Sequence, residues 1–259
     1  MVWLQICPNG SRGPADGAAV PMSPEDMARS AARAVSAGAR DVHVHPKSPC
    51  GQDTLSPRAV AATIQAIRSL VTVPVGVTTG AWAEPDPGRR IEQIRSWTVL
   101  PDHASVNWHE EGAEEVAAVL LERGVAVEAG LWSGTDGTAR FLTSPLAARV
   151  VRVLAEVTDT SAASAAATAD ALLAGIGSAH GRPVLLHGEE GGAWPVLRLA
   201  LERGLAARIG LEDTLLLPDG RRARDNAELV THALRLAGGH PLPERNPFDP
   251  ADSAAESGS

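Results

Sequence analysis

Two histidines stand one residue apart in the stretch Asp41-Val42-His43-Val44-His45-Pro46. In an extended strand, residues i and i+2 point to the same side, so both imidazoles face one point. Imidazole is a common ligand for divalent metals. A catalytic zinc takes three protein ligands and keeps one position open, and two histidines with a glutamate are an accepted set. Glu128, Glu156, Glu189 and Glu212 each fall in or just after an apolar run and compete for the third place. The alternative is a pair of hydrogen-bonded histidines at a rim with no ion.

A second cluster, Arg208, Glu212 and Asp213, is set among Ala207, Ile209 and Leu211. In a strand, Arg208 and Glu212 would share one face and Asp213 would open onto the following loop. An internal ion pair is the plain reading. Buried ion pairs are weak stabilisers, so such a cluster at a strand end leans toward function. His187 with Glu189 and Glu190 is a weaker signal, as fit for a supporting role as for a ligand role. Asn9-Gly10 and Thr78-Thr79-Gly80 are small polar turns whose donors could hold a carboxylate or carbonyl. Trp194 reads as packing, and Cys7 and Cys50 read as packing or inert thiols rather than ligands.

These residues need elements to position them. Short β-rich runs at 2–6, 41–45, 73–79, 103–107, 125–131, 149–157, 182–188 and 206–213 read as strands. Ala-, Arg- and Glu-rich runs at 23–38, 56–70, 88–97, 112–124, 136–147, 161–176, 192–203 and 224–237 read as helices. In the first helix Ser23 suits the N-cap, Pro24 the first helical position and Gly38 the C-terminal cap. Strict alternation means parallel strands, and eight repeats predict an α/β fold of the (β/α)8 TIM-barrel type, one domain over 1–240. The tail, 241–259, is rich in Pro, Ser, Ala and Asp and reads as flexible. No Gly-x-Gly-x-x-Gly follows a strand, which disfavours a doubly wound sheet. Barrel active sites lie at the C-terminal strand ends, which is where Asn9, His43, His45, Thr78, Ser105, Asn107, His187 and the Arg208 cluster fall.

The 259 residues are 44% apolar, enough for a full core. With no tyrosine and two phenylalanines, that core must be built from Val, Leu, Ile and Ala. A net charge of −8 with no basic cluster argues against nucleic acid or an anionic membrane as partner. No apolar run is long enough to span a bilayer, no leader pattern opens the chain, and two cysteines make no disulfide framework. A cytoplasmic protein is expected.

Taken together, PNG (8–10), PMSPEDMARSAARAVSAGARDVHVH (21–45), VTTG (77–80), ASVN (104–107) and RIGLEDTLLLPDGRRARDNAELV (208–230) resemble the β-keto acid cleavage enzymes, with the 3-keto-5-aminohexanoate cleavage enzyme as the best-studied type. The resemblance implies a (β/α)8 barrel with one catalytic Zn2+ per chain, on positions matching His43, His45 and Glu212. It implies that Asp213 belongs to the acid/base machinery with Arg208 close by, and that Thr78 and Ser105 line the substrate, with Asn107 and Asn9 beside them. It further implies that a β-keto acid and acetyl-CoA give acetoacetate and a new acyl-CoA, in a homotetramer. The chain departs from the family pattern at Ser11, where a glutamate is usual, and at Lys47, where an arginine is common.

Overall fold

The computed structural model describes residues 3–17 and 19–238. The strands are β1 (Leu4–Ile6), β2 (Asp41–Val44), β3 (Val75–Thr78), β4 (His103–Asn107), β5 (Ala126–Trp132), β6 (Arg152–Val157), β7 (Val184–Gly188) and β8 (Ala206–Ile209). Between and after them run α1 (Pro24–Ser36), α2 (Pro57–Arg68), α3 (Pro87–Arg95), α4 (Ala113–Glu122), α5 (Gly137–Thr143), α6 (Ala165–Ile176), α7 (Ala193–Glu202) and α8 (Asn226–Ala237). All strand pairings are parallel, and β1 pairs with both β2 and β8, so the sheet closes into a (β/α)8 barrel. Closure excludes the open doubly wound sheet. The expected tail from Pro241 lies outside the described residues. Among the described residues no helix is long and apolar enough to cross a membrane.

Local chemistry explains the element starts. The side chains of Ser23, Ser56, Asp86 and Asp225 accept from backbone N–H groups in the first turns of α1, α2, α3 and α8, which satisfies donors that a helix leaves open. Several expected boundaries moved: α5 ends at Thr143 rather than 147, α6 begins at Ala165 rather than 161, and two strand ends shifted. β6 begins at Arg152 rather than 149, because Ala147–Arg149 form a 3-10 turn. β8 ends at Ile209 rather than 213, because Asp213 N–H and Thr214 N–H both donate to the Gly210 carbonyl and turn the chain.

The aliphatic core sits between strands and helices. Ile6, Val42, Val44, Val75, Val77, Val127 and Val153 are outward strand residues, all fully buried against the helix layer. Inside the barrel the filling is different. Gln5, Asp41, His103, Glu128 and Arg152 meet across the lumen where branched apolar residues are usual. Gln5 Nε2 donates to Asp41 Oδ2 at 3.0 Å and Glu128 Oε1 at 3.2 Å. The Arg152 guanidinium bonds both carboxylates, and the His103 ring lies 2.9 Å from Asp41 Oδ1 and 3.1 Å from Glu128 Oε2. Burial alone would depress the His103 imidazolium, but the Glu128 and Asp41 carboxylates reverse this and push it up to about 9. Charges enclosed at this depth survive only as a closed network. This layer is the floor on which the site rests.

Candidate functional site

At the C-terminal rim, ligand atoms of Cys7, His43, His45 and Glu212 all lie within 4.8 Å of one another. Donors that share one zinc at 2.0–2.3 Å stand no more than about 4.6 Å apart, close to this span, so small side-chain shifts would gather the group on a single ion. The two imidazole centroids are 5.4 Å apart, as the i, i+2 spacing requires. His45 Nε2 is 3.4 Å from Glu212 Oε2, while its Nδ1 is 2.9 Å from Asp53 Oδ2. Asp53 has its pKa lowered: burial opposes this, but the hydrogen bond and charge of His45, followed by Lys47, overcome it. An ionised Asp53 accepts the Nδ1 proton and leaves the Nε2 lone pair facing Glu212, the tautomer a metal ligand needs.

Burial and the neighbouring His45 push His43 down to about 3, so it is a neutral donor. Its Nδ1 faces Glu128 Oε2 at 3.8 Å. Burial alone would raise Glu212, but the Arg208 guanidinium, then the two histidines, hold it below the usual carboxylate range. His43 and Glu212 are therefore held in the forms that bind a divalent cation. A second grouping, His43 with His103 and Glu128, also has metal-like spacing. Arg152 already supplies its cation, which makes it an ion-pair network rather than a metal cage.

Each donor is placed by its own support. Asn9, expected at the substrate, is instead fully buried, with Nδ2 donating to the His45 carbonyl at 2.8 Å and Oδ1 accepting from His45 N–H at 3.1 Å. It clamps the metal-side backbone. Lys47 Nζ donates to the carbonyls of Gly10 and Arg12 and to Asp53 Oδ1, at 2.7, 2.9 and 2.5 Å. Three divergent acceptors suit an ammonium better than a planar guanidinium. Gly10 has φ +55, and a Cβ there would run into the Glu212 side chain.

Of the four competing carboxylates, Glu212 is the one grouped with both histidines, while Glu128 reaches His43 alone. Glu212 does so by a turn rather than by a shared strand face. Arg208 Nη2 donates to Glu212 Oε1 at 2.9 Å and to Asp213 Oδ1 at 2.8 Å, and its Nε donates to Asp213 at 3.1 Å. Asp213 does not open onto a loop as expected. It is fully buried, with Oδ1 between Arg208 and His187 Nδ1 at 3.2 Å. His187 Nε2 in turn lies 3.3 Å from Glu156 Oε2. Burial and Arg208 would both lower His187, but Glu156 and Asp213 raise it to about 9, so it is an imidazolium strut between two carboxylates.

A cavity of about 330 Å³ opens over this group, walled by Arg12, His45, Trp82, Trp132, Glu156 and Glu189, with Glu212 at its base and Glu190 and Ser11 at its mouth. Thr78, Ser105 and Asn107, expected at the substrate, do not wall it. The Thr78 hydroxyl accepts from Gly80 N–H at 3.1 Å, and Asn107 Nδ2 donates to Glu110 Oε1 at 2.9 Å. Thr78 and Ser105 are register partners in adjacent strands. The walls come from His45, Glu156 and Glu189 together with Arg12, Trp82 and Trp132, which spacing did not mark. Trp82 stacks on His45 at 5.8 Å and 10°, donates from Nε1 to Asp53 Oδ2 at 2.9 Å, and lies 6.1 Å from Trp132. Arg12, one residue beyond Ser11, enters the cavity and pairs with Glu190 at 2.5 Å. The signal available for Trp82 and Trp132 was their place just after predicted strand ends. Trp194 packs as expected, donating to the Leu216 carbonyl.

Asp53→Asn tests the support shell. Losing the charged acceptor behind His45 is expected to weaken metal binding by about 10–100-fold, read by competition with a chromophoric chelator. Unchanged affinity would mean that Asp53 does not orient the ring.

The model of a family described as beta-keto acid cleavage enzyme matches residues 1–252. No curated protein matches the chain in sequence. Among solved structures, ObcA in a ternary complex with a C4-CoA adduct and oxalate superposes with a TM-score of 0.66 at 16% identity, over 84% of this chain and 63% of that one. ObcA in a binary complex with oxaloacetate gives 0.64 at the same identity and coverage. Type I 3-dehydroquinate dehydratase from Clostridium difficile gives 0.60 at 13% identity, over 93% of this chain and 94% of that one. These likenesses are of fold, and the chain spans less than two thirds of the length of ObcA.

Proposed function

The chain belongs to the beta-keto acid cleavage enzyme family, and from that premise we propose that it cleaves a β-keto acid at a zinc centre, with acetyl-CoA as co-substrate. In this reaction the acyl group of the keto acid passes to CoA. The remaining two-carbon carboxylate joins the acetyl group to give acetoacetate. The observation that carries the reading is the convergence of His43, His45 and Glu212, two of which, His45 and Glu212, line the rim cavity.

The metal, when bound, supplies Lewis-acid polarisation of the carbonyl next to the breaking bond. The chain does the rest. Arg208 holds Glu212 in place through one nitrogen and is itself anchored by Asp213, so its positive charge stands beside the developing negative charge on oxygen. Asp213, enclosed between Arg208 and His187, serves as that anchor rather than touching substrate. At the cavity wall Glu189 is better suited to carry a proton. Burial, then the Glu156 carboxylate, raise it to about 7, where a group gives and takes protons readily at neutral pH.

The cavity wall is acidic and aromatic: Glu156, Glu189, Trp82 and Trp132. That lining favours a keto acid with a cationic end, held over the indole faces and beside carboxylates. The experiment is a panel of β-keto acids with acetyl-CoA. Acetoacetate is expected to appear in step with a new acyl-CoA, to stop on chelation and to return with zinc. Cationic members are expected to exceed neutral ones in kcat/KM by roughly tenfold, about 1.4 kcal/mol. Consumption of keto acid without acetyl-CoA would point to a hydrolase or lyase on the same barrel. Binding without turnover would leave a keto-acid-binding protein.

A further inference from the structure

We propose that Cys7 is a fourth protein ligand of the metal, so that the resting site holds the ion by one thiolate, two imidazoles and one carboxylate rather than by two imidazoles and a carboxylate alone. The inference rests on the metal reading above and adds a residue to it.

Cys7 follows β1 and is spaced two from Gln5, which faces the lumen, while Leu4 and Ile6 face the helix layer. Its fully buried thiol therefore points into the barrel. A packing cysteine sits among apolar groups. This one has donors around it: Sγ is in hydrogen-bond contact with Glu212 Oε2. That same oxygen faces His45 Nε2 at 3.4 Å, and the ligand atoms of His43, His45 and Glu212 all lie within 4.8 Å of Sγ. One point thus serves the sulfur, the carboxylate and the imidazoles.

The backbone fixes this arrangement independently. The Cys7 carbonyl accepts from Glu212 N–H at 3.3 Å. Gly210 packs so closely on the Cys7 backbone that a Cβ there would overlap it. The chain turn that brings Glu212 to the site is therefore built against Cys7 itself. Any residue at position 7 would be held here, and the one present carries a metal-binding sulfur.

On coordination the S–H bond breaks, the sulfur–metal bond forms and the proton leaves to solvent. A thiolate biases the site to zinc over hard ions such as Mg2+ or Mn2+. With four protein ligands, substrate binding requires five-coordination or release of one ligand, an expansion known for catalytic zinc.

The test has a readout other than turnover. The protein is loaded with Co2+ in place of zinc, and the near-ultraviolet sulfur-to-cobalt charge-transfer band is recorded for the wild type, Cys7→Ala and Cys50→Ser. The band is expected in the wild type and in Cys50→Ser, whose exposed thiol is outside the donor group, and is expected to be lost in Cys7→Ala with cobalt still bound. Zinc-edge X-ray absorption on the wild type needs no variant and is expected to show one sulfur at about 2.3 Å. Cobalt bound at one per chain without the band, or a zinc shell of nitrogen and oxygen alone, overturns Cys7 ligation and leaves the His43, His45 and Glu212 reading standing. Failure to bind either metal overturns both.

Discussion

Glu212→Ala is expected to weaken metal binding sharply and to lower kcat/KM by about 10³, the rate equivalent of losing several kcal/mol of Lewis-acid stabilisation. Glu212 is the anionic member of the histidine set, and its oxygens are spoken for on both sides: Oε2 faces His45 and Cys7, and Oε1 accepts from Arg208. The variant should nevertheless fold. Arg208 keeps two hydrogen bonds to Asp213, and Glu212 contributes nothing to the aliphatic layer. Metal content by mass spectrometry and a thermal midpoint on the same preparation separate the two effects. Unchanged metal affinity in the variant would remove Glu212 from the ligand set. Glu128 is a poor replacement, since Arg152, Gln5 and His103 already occupy it.

Arg152→Met is expected to cost about 3–5 kcal/mol in unfolding free energy without touching the cavity. The guanidinium is enclosed in the barrel with Asp41 and Glu128, and among the described residues His103 is the paired cation that would remain to balance two buried carboxylates. An uncompensated charge at that depth is far costlier than a lost ion pair. Adding Glu128→Gln to the same chain restores the balance and should recover part of the loss. Denaturant unfolding of both variants decides it: a loss under about 1 kcal/mol in the single variant would show that the lumen is wetter and softer than this network implies.

The barrel was legible because its signals are local. Strand and helix periods, Ser23 and Ser56 at helix starts, and apolar runs of the right length need only neighbours in sequence to be read. The misplaced boundaries of β6 and β8 lie where a 3-10 turn and a glycine-centred turn interrupt the run, and neither changes the apolar pattern that marks a strand. The histidine pair was legible for the same reason, since one residue of separation dictates a shared face. Glu212 could be named as one competitor among four, and the family resemblance singled it out before any geometry was known.

The order of residues along the chain thus dictates the alternation of strands and helices, the aliphatic layer between them and the joint direction of His43 and His45. Which distant groups meet is a matter of the closed barrel. Closure brought Cys7 to Glu212 across 205 residues and Asp41 to Arg152 across 111. It turned Asn9 from a substrate contact into a clamp, buried Asp213 beneath the rim, and raised Trp82 and Trp132 as walls. The physical reason is that closing a sheet into a barrel sets neighbours by strand order and stagger, and no local propensity encodes which inward side chains will then share an enclosed volume. In that volume a charge must find its counter-charge or the fold does not form, so the pairings of the lumen and the site are settled together, at closure.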